Sequence, residues 1–345
     1  MTNRRTFMRA GGLLATGVAV TAAASGPARA SSPATSLPLL TWHAALANRR
    51  YAPAVVAVLG SSSSEGVGAS GPGRGYVPVL AENLRTAFPV AGAAGGANYV
   101  AAWGTPRWWP VTGGGTRVDT AGWGLKAVDL AGPEESLTYR FSGTSVQVWH
   151  DGAPEIVVDG GTVVVRGPGR IHGFVTFDGD EEKGIQVFNG GHGGRTSGDF
   201  AERAAAWAPR LRSIRPHLVI LQLGINDWRI GVPAAEMKRN LLTIIETVRV
   251  NSGTDPSFVV YGTPRVGADR RIQDHTRFTE AWREIAAEDT GGPGGASGVA
   301  YFDLAARQPS PSSDNTHGLY CDDLVHMTDR GAAFTADALL SFIRP

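Results

Sequence analysis

A single cysteine, Cys321, occurs in the 345-residue chain, so no intrachain disulfide can form and the fold must rest on its core. A small buried residue is the commoner role for a lone cysteine. Charge is scarce as well: 18% of residues are charged, 32 basic against 31 acidic, for a net charge of +1. That balance excludes a polyelectrolyte tail and offers no basic surface for nucleic acid. Beyond residue 30 no apolar run is long enough to serve as a membrane anchor. What abounds is glycine, 46 residues, with 21 prolines, beside a hydrophobic fraction of 42%. The chain therefore has many turns and close backbone approaches around a sizeable core.

The first thirty residues hold Arg4, Arg5, Arg9 and Arg29 and no acid, which leaves the rest of the chain mildly acidic. Asn3-Arg4-Arg5-Thr6-Phe7 precedes an Ala-rich apolar stretch from Leu13 to Ala24 and then Ala28-Arg29-Ala30. This pattern resembles a twin-arginine export signal over residues 1–30 with a small-x-small cleavage site. A single-span helix is the alternative, but the stretch is too short and too rich in Ala and Gly to cross a bilayer. The expectation is export through the twin-arginine translocation machinery to the cell envelope or medium, with no membrane anchor once the signal is removed.

In the remaining chain, Ala54 to Leu59 is a continuous apolar run that reads as a strand covered on both faces. Helical spacing follows over Tyr76 to Phe88. From Gly184 the pattern alternates: strand to Phe188, helix Phe200 to Ile214, strand Leu218 to Leu223, helix Pro233 to Val250, strand Phe258 to Tyr261, helix Phe278 to Glu288, strand Val299 to Phe302, helix Ala332 to Ile343. Such alternation predicts a parallel sheet with helices on both faces. Between Leu59 and Gly184 lies far more chain than a crossover needs. Its centre carries short alternating runs such as Leu137 to Phe141, Glu155 to Val158, Thr162 to Val165 and Gly173 to Phe177, separated by Gly and Asp turns. Residues 96–183 are therefore expected to form an inserted antiparallel β-sandwich, with 31–95 and 184–345 as a discontinuous α/β body. Of the tryptophans in this block, Trp149 is expected in its core, whereas Trp108 and Trp109 are kept as possible substrate-binding side chains.

Four segments could carry chemistry. Gly60-Ser61-Ser62-Ser63-Ser64-Glu65-Gly66 leaves the carboxyl end of the first strand, where open α/β sheets bind ligands. Elsewhere four serines in a row would read as a solvated loop. Asp323 stands three residues before His326, a spacing that lets a carboxylate hold the imidazole so that its far nitrogen accepts a serine proton. Asp314 and His317 repeat that spacing. Gly224-Ile225-Asn226-Asp227 follows a strand and offers a side-chain amide to an oxyanion, or forms a turn or cap. Asn189-Gly190-Gly191-His192-Gly193-Gly194 offers backbone N–H groups, or is a flexible turn.

In this order the four segments resemble the SGNH (GDSL-type) hydrolase superfamily. The resemblance implies a flavodoxin-like, three-layer α/β fold and an acyl-enzyme esterase mechanism without cofactor or metal. It implies Ser62 as nucleophile, Asp323 and His326 as its partners, and the backbone N–H groups of Ser62 and Gly194 with the Asn226 side chain as oxyanion hole. Met327 to Gly331 leading into an Ala-rich helix is similar to the family's ending, which favours His326 over His317. Where the family has Gly-Asp-Ser this chain has Gly60-Ser61-Ser62; Ser63 and Ser64 also remain open as nucleophiles, and an α/β-hydrolase elbow fails because Ser64 stands where Gly is required. The expected substrate is an ester, most simply a short acyl group on carbohydrate. A lipid ester and a non-catalytic glycan-binding role are the alternatives.

Overall fold

The computed structural model describes residues 38–345 apart from 94, 268–273, 289–297 and 312–313. The export signal expected at residues 1–30 lies outside the described residues. The strands are β1 (Ala54–Gly60), β2 (Asn98–Ala101), β3 (Val111–Gly113), β4 (Thr116–Val118), β5 (Ala127–Leu130), β6 (Ser136–Arg140), β7 (Ser145–Gly152), β8 (Glu155–Asp159), β9 (Thr162–Arg166), β10 (Gly169–Phe177), β11 (Ile185–Gly191), β12 (Leu218–Gln222), β13 (Ser257–Gly262) and β14 (Val299–Asp303). The helices are α1 (Leu40–Asn48), α2 (Ser62–Glu65), α3 (Tyr76–Ala87), α4 (Ser197–Glu202), α5 (Ala204–Trp207), α6 (Leu211–Ile214), α7 (Ile225–Ile230), α8 (Ala234–Asn251), α9 (His275–Glu288) and α10 (Asp329–Ile343).

The body sheet is parallel, in the order β11-β1-β12-β13-β14. The chain thus starts inside the sheet and reverses direction of travel between β1 and β12, the place where doubly wound sheets open a crevice. Every residue of β1 is buried, and its side chains divide between two apolar clusters. Val55, Ala57 and Leu59 join the side covered by α4, α8 and α9, whereas Ala54, Val56 and Val58 join the side covered by α1, α3 and α10. This two-sided burial is why the strand is continuously apolar.

Strands β2 to β10 all lie between β1 and β11 in sequence and pair only in antiparallel fashion. One sheet runs β2-β10-β5-β4, with β7 also on β10; the other runs β3-β6-β9-β8. Val128, Ile171 and Phe174 of the first and Leu137, Tyr139, Val163 and Val165 of the second share one apolar cluster. The same block gives Tyr99, Ala101, Trp123, Val175 and Phe177 to the body's core, and residues 36–345 form one compact unit.

The helix expected over Phe200 to Ile214 is instead broken into α4, α5, a 3₁₀ turn at Ala208–Arg210 and α6. Pro209 sits at the start of that turn, and having no N–H and a fixed φ it cannot continue an α-helix. Helix α4 also begins earlier than expected, because Thr196 and Asp199 make a reciprocal capping box.

Candidate active site

The carboxyl ends of three adjacent strands are in register, with Gly60 opposite both Gly191 and Gln222. The loops bearing Ser62, Gly194 and Asn226 therefore leave the sheet at one level. Helix α2 starts two residues beyond β1, and the turn is compressed against β11. A Cβ on Gly191 would lie 2.3 Å from the Glu65 nitrogen and 2.5 Å from the Ser64 carbonyl carbon, both backbone atoms, so only glycine fits there.

The four serines have different surroundings. Ser61 and Ser64 are buried: Oε1 of Gln222 accepts from both hydroxyls, at 3.2 and 2.9 Å, and Ser64 Oγ also meets the Tyr76 hydroxyl at 2.7 Å. Ser62 is half-buried, and its Oγ lies 3.0 Å from Nε2 of His326. Nδ1 of the same ring is 2.5 Å from Oδ2 of Asp323, whose Oδ1 accepts the backbone N–H groups of Val325 and His326 at 2.9 Å each. Partial burial pushes the Asp323 carboxyl up, but the two N–H donors and the imidazole outweigh it and hold it below the ordinary value. Because Asp323 is ionised and can only accept, Nδ1 carries the hydrogen and Nε2 is left as an acceptor toward Ser62. Helping to fix this turn, the loop after α2 passes so close at Gly68, with φ +95°, that a Cβ would come within 2.5 Å of the Met327 carbonyl oxygen.

The second Asp-x-x-His pair is different. The Asp314 carboxylate accepts from the Thr316 N–H and hydroxyl, and His317 is exposed with its carbonyl taken by Arg330. On the oxyanion side, Gly194 adopts φ +80°, and neither its N–H nor that of Ser62 is donated to a protein acceptor among the described residues. Asn226 is 7% exposed at the start of α7 and gives one amide hydrogen to the Arg195 carbonyl at 3.0 Å. Asp227 receives the Ser197 N–H and hydroxyl, tying α7 to the start of α4.

Trp149 is partly buried but packs against the body's core, stacking on Phe188 of β11, rather than in the core of the inserted block, its expected place. Trp108 and Trp109 stack on each other with ring centroids 6.0 Å apart and donate to the Ala69 and Ala101 carbonyls. Both line a cavity of about 520 Å³ together with Tyr99, Tyr139, Phe141 and Arg85; Glu65 and Gly191 also line it, whereas Ser62, Asp323 and His326 do not.

Four residues near the site carried no role in the sequence. Gln222 supports Ser61 and Ser64, Glu65 and Lys126 hold the glycine loop from outside, and His192 anchors it from within. The only signal Gln222, Lys126 and His192 gave was a polar side chain in an otherwise apolar or glycine-rich run, as with Gln222 closing Leu-Val-Ile-Leu-Gln, and Glu65 gave only a charge after four serines. His192 is 3% exposed; Nδ1 donates to the Gly124 carbonyl at 2.8 Å and Nε2 faces Arg195 Nε at 3.4 Å. Burial first, then the Lys126 and Arg195 charges, lower it to about 4 despite the Gly124 carbonyl and Glu65, and burial likewise lowers His275 to about 4.

Both imidazoles are neutral in the fold and protonate near pH 6.5 when unfolded, so the unfolded chain binds more protons between these values. Stability is therefore expected to fall as the pH is lowered from about 6.5 to about 4. Thermal melts across that range test this: His192→Gln and His275→Gln together should reduce the slope, the remainder coming from His172 and His217, which burial also lowers, and a wild-type Tm constant over the interval would contradict it.

A family model for the GDSL-like lipase/acylhydrolase family matches residues 158–334, which include the glycine loop, Asn226, Asp323 and His326 but not Ser62. No curated protein sequence matches the chain. Among solved structures, the chain is similar to a peptidoglycan O-acetylesterase, at 16% identity and a TM-score of 0.65 over 90% of this chain and 96% of that one, a likeness of fold. Weaker likenesses are to a two-domain esterase active on acetylated mannans, at 16% identity and a TM-score of 0.45 over 88% of this chain and 52% of that one, and to a carbohydrate esterase family 3 protein from Talaromyces cellulolyticus, at 19% identity and 0.35 over 49% and 76%. With a family model matched over half its length, this chain belongs to the GDSL-like lipase/acylhydrolase family and is an ester-hydrolysing enzyme.

Proposed function

We propose that the protein is an exported serine esterase that removes acetyl or other short acyl groups from carbohydrate through a Ser62 acyl-enzyme. The observation that carries this is the line of hydrogen-bond distances from Ser62 Oγ through His326 to Asp323. His326 Nε2 takes the Ser62 proton as Oγ attacks the acyl carbonyl, and Asp323 holds the imidazolium that forms. The negative charge on the tetrahedral oxygen is received by the N–H groups of Ser62 and Gly194 and the second amide hydrogen of Asn226. His326 then returns the proton to the leaving sugar hydroxyl. In the second half, His326 takes a proton from water as the water oxygen bonds to the acyl carbon; the tetrahedral intermediate then expels Ser62 Oγ, which recovers that proton from His326, and the acid product leaves and ionises in solvent.

The carbohydrate reading draws on the aromatic cavity lined by Trp108 and Trp109 and on the inserted block, taken as a β-sandwich domain over 96–183. Aromatic faces suit the apolar faces of sugar rings, and Arg85, Arg140, Asp178 and Asn189 in the same lining offer hydrogen-bond partners to hydroxyls. It also draws on the activity that its fold neighbour's name states, peptidoglycan O-acetyl ester cleavage. Export is read from Arg4 and Arg5.

Labelling with a fluorophosphonate, followed by peptide mapping, is expected to modify Ser62 alone; labelling elsewhere would refute the assignment. In a series of acyl esters, rates are expected to be highest for acetyl and to drop with chain length. Rates rising toward long chains would replace the carbohydrate reading with a lipid one.

A further inference from the structure

The β-rich block touches the loops of the site at several points, and one of these contacts is ionic. We propose that Lys126 and Glu65 form a latch by which this block holds the oxyanion loop in its donating geometry, so that Lys126 is a positioning residue for ester hydrolysis. The inference rests on Ser62 and Gly194 acting as proposed above.

Glu65 closes α2 three residues after Ser62 and is buried, as is Lys126. Oε2 of Glu65 accepts the Gly193 N–H at 2.7 Å; Oε1 accepts the Thr105 N–H at 2.6 Å and Lys126 Nζ at 2.5 Å. Nζ also donates to the Gly191 carbonyl at 2.9 Å and lies 5.4 and 5.2 Å from the ring centroids of Trp103 and Trp109. The loop is thus gripped on both sides of His192, at the Gly191 oxygen and at the Gly193 nitrogen. Thr105 and Lys126 both come from the block between β1 and β11.

Two physical needs meet here. A loop with glycine at 190, 191, 193 and 194 has wide backbone freedom, and the Gly194 N–H stabilises an oxyanion only if its peptide plane is held in one orientation beforehand. Hydrogen bonds to the plane just before it remove that freedom. The acceptor that does so is a carboxylate, and an unpaired carboxylate so close to Ser62 would oppose the charge that develops on the oxyanion. Lys126 cancels that charge and lets Glu65 remain buried; the Trp103 and Trp109 faces complete the lysine's surroundings. A Cβ at Gly193 would sit 2.9 Å from Glu65 Oε2 and 3.8 Å from Ser62 Cβ, which shows how near the latch lies to the nucleophile.

The test compares Lys126→Met, Glu65→Gln and the double variant on 4-nitrophenyl acetate, with Tm measured alongside. Lys126→Met is expected to lower kcat about 10- to 100-fold with KM within about twofold, and to lower Tm, because the carboxylate is left unpaired. In the double variant no charge is buried, so Tm recovers; kcat stays low because the Gln side chain has one oxygen for the N–H groups of both Gly193 and Thr105, and the Gly191 carbonyl has lost Lys126. A kcat that returns together with Tm would show the pair to be structural only, and wild-type kcat in any folded single variant would overturn the latch. Should Lys126→Met fail to fold, Glu65→Asp keeps the charge but withdraws the carboxylate by roughly 1.5 Å, and wild-type kcat there would likewise overturn it. Ser62→Ala in the same assay separates the two claims: activity surviving in it would remove the proposed nucleophile, whatever the latch variants do.

Discussion

Replacing Ser62 by Ala is expected to lower kcat on a short aryl ester by at least about 10⁴-fold, since loss of a nucleophile costs about as much as loss of the whole triad in enzymes that act this way. The fold should be unaffected. Ser62 is half-buried, and among the described residues the one side-chain hydrogen bond of its hydroxyl is to His326, so the substitution removes one oxygen and leaves no deeply buried group among them unpaired. Its neighbours would not give this result cleanly. The Ser61 and Ser64 hydroxyls are buried and share Gln222 Oε1, and Ser64 also engages Tyr76, so their loss disturbs the floor of the site. The measurement is kcat together with a thermal melt. Substantial activity in a folded Ser62→Ala protein would exclude Ser62 as nucleophile.

Asp323→Asn is expected to reduce kcat by about 10⁴-fold, the size of effect seen where an orienting aspartate is replaced in a serine triad. An Asn side chain still presents an oxygen to the Val325 and His326 N–H groups, so the turn before α10 is kept. Its amide then points toward Nδ1, which becomes an acceptor, and Nε2 carries the hydrogen instead. In that tautomer His326 has no lone pair for the Ser62 proton. His317→Ala, at the other Asp-x-x-His, should leave kcat at the wild-type level, because Asp314 is occupied by Thr316 and His317 is exposed. Steady-state rates of the two variants decide between the pairs; a large loss in His317→Ala with none in Asp323→Asn would reverse the assignment.

How much could be read before the fold was known depends on how local the cause was. The apolar run at Ala54–Leu59 announced a strand buried on both faces, and side chains do alternate between the two clusters there. Helices α3, α8, α9 and α10 followed from apolar spacing. Helix α1 and the short strands β2 to β5 were not anticipated. The three-residue strands β3 and β4 are too short to show a period, and α1 is apolar along most of its length and gives little of one.

By itself, then, the sequence determined the parallel α/β body, the presence of a β-rich block between its first two strands, and the few positions where serine, histidine, aspartate and asparagine follow strand ends. These rest on repeating patterns and on where loops leave a sheet. Only the tertiary structure decided which serine faces an imidazole, which Asp-x-x-His pair closes, and that Glu65 and Lys126, 61 positions apart, share one buried hydrogen bond. No periodicity marks such a contact: a lone Lys in an apolar run and a Glu after four serines acquire meaning only when packing brings them out of water, where each needs the other.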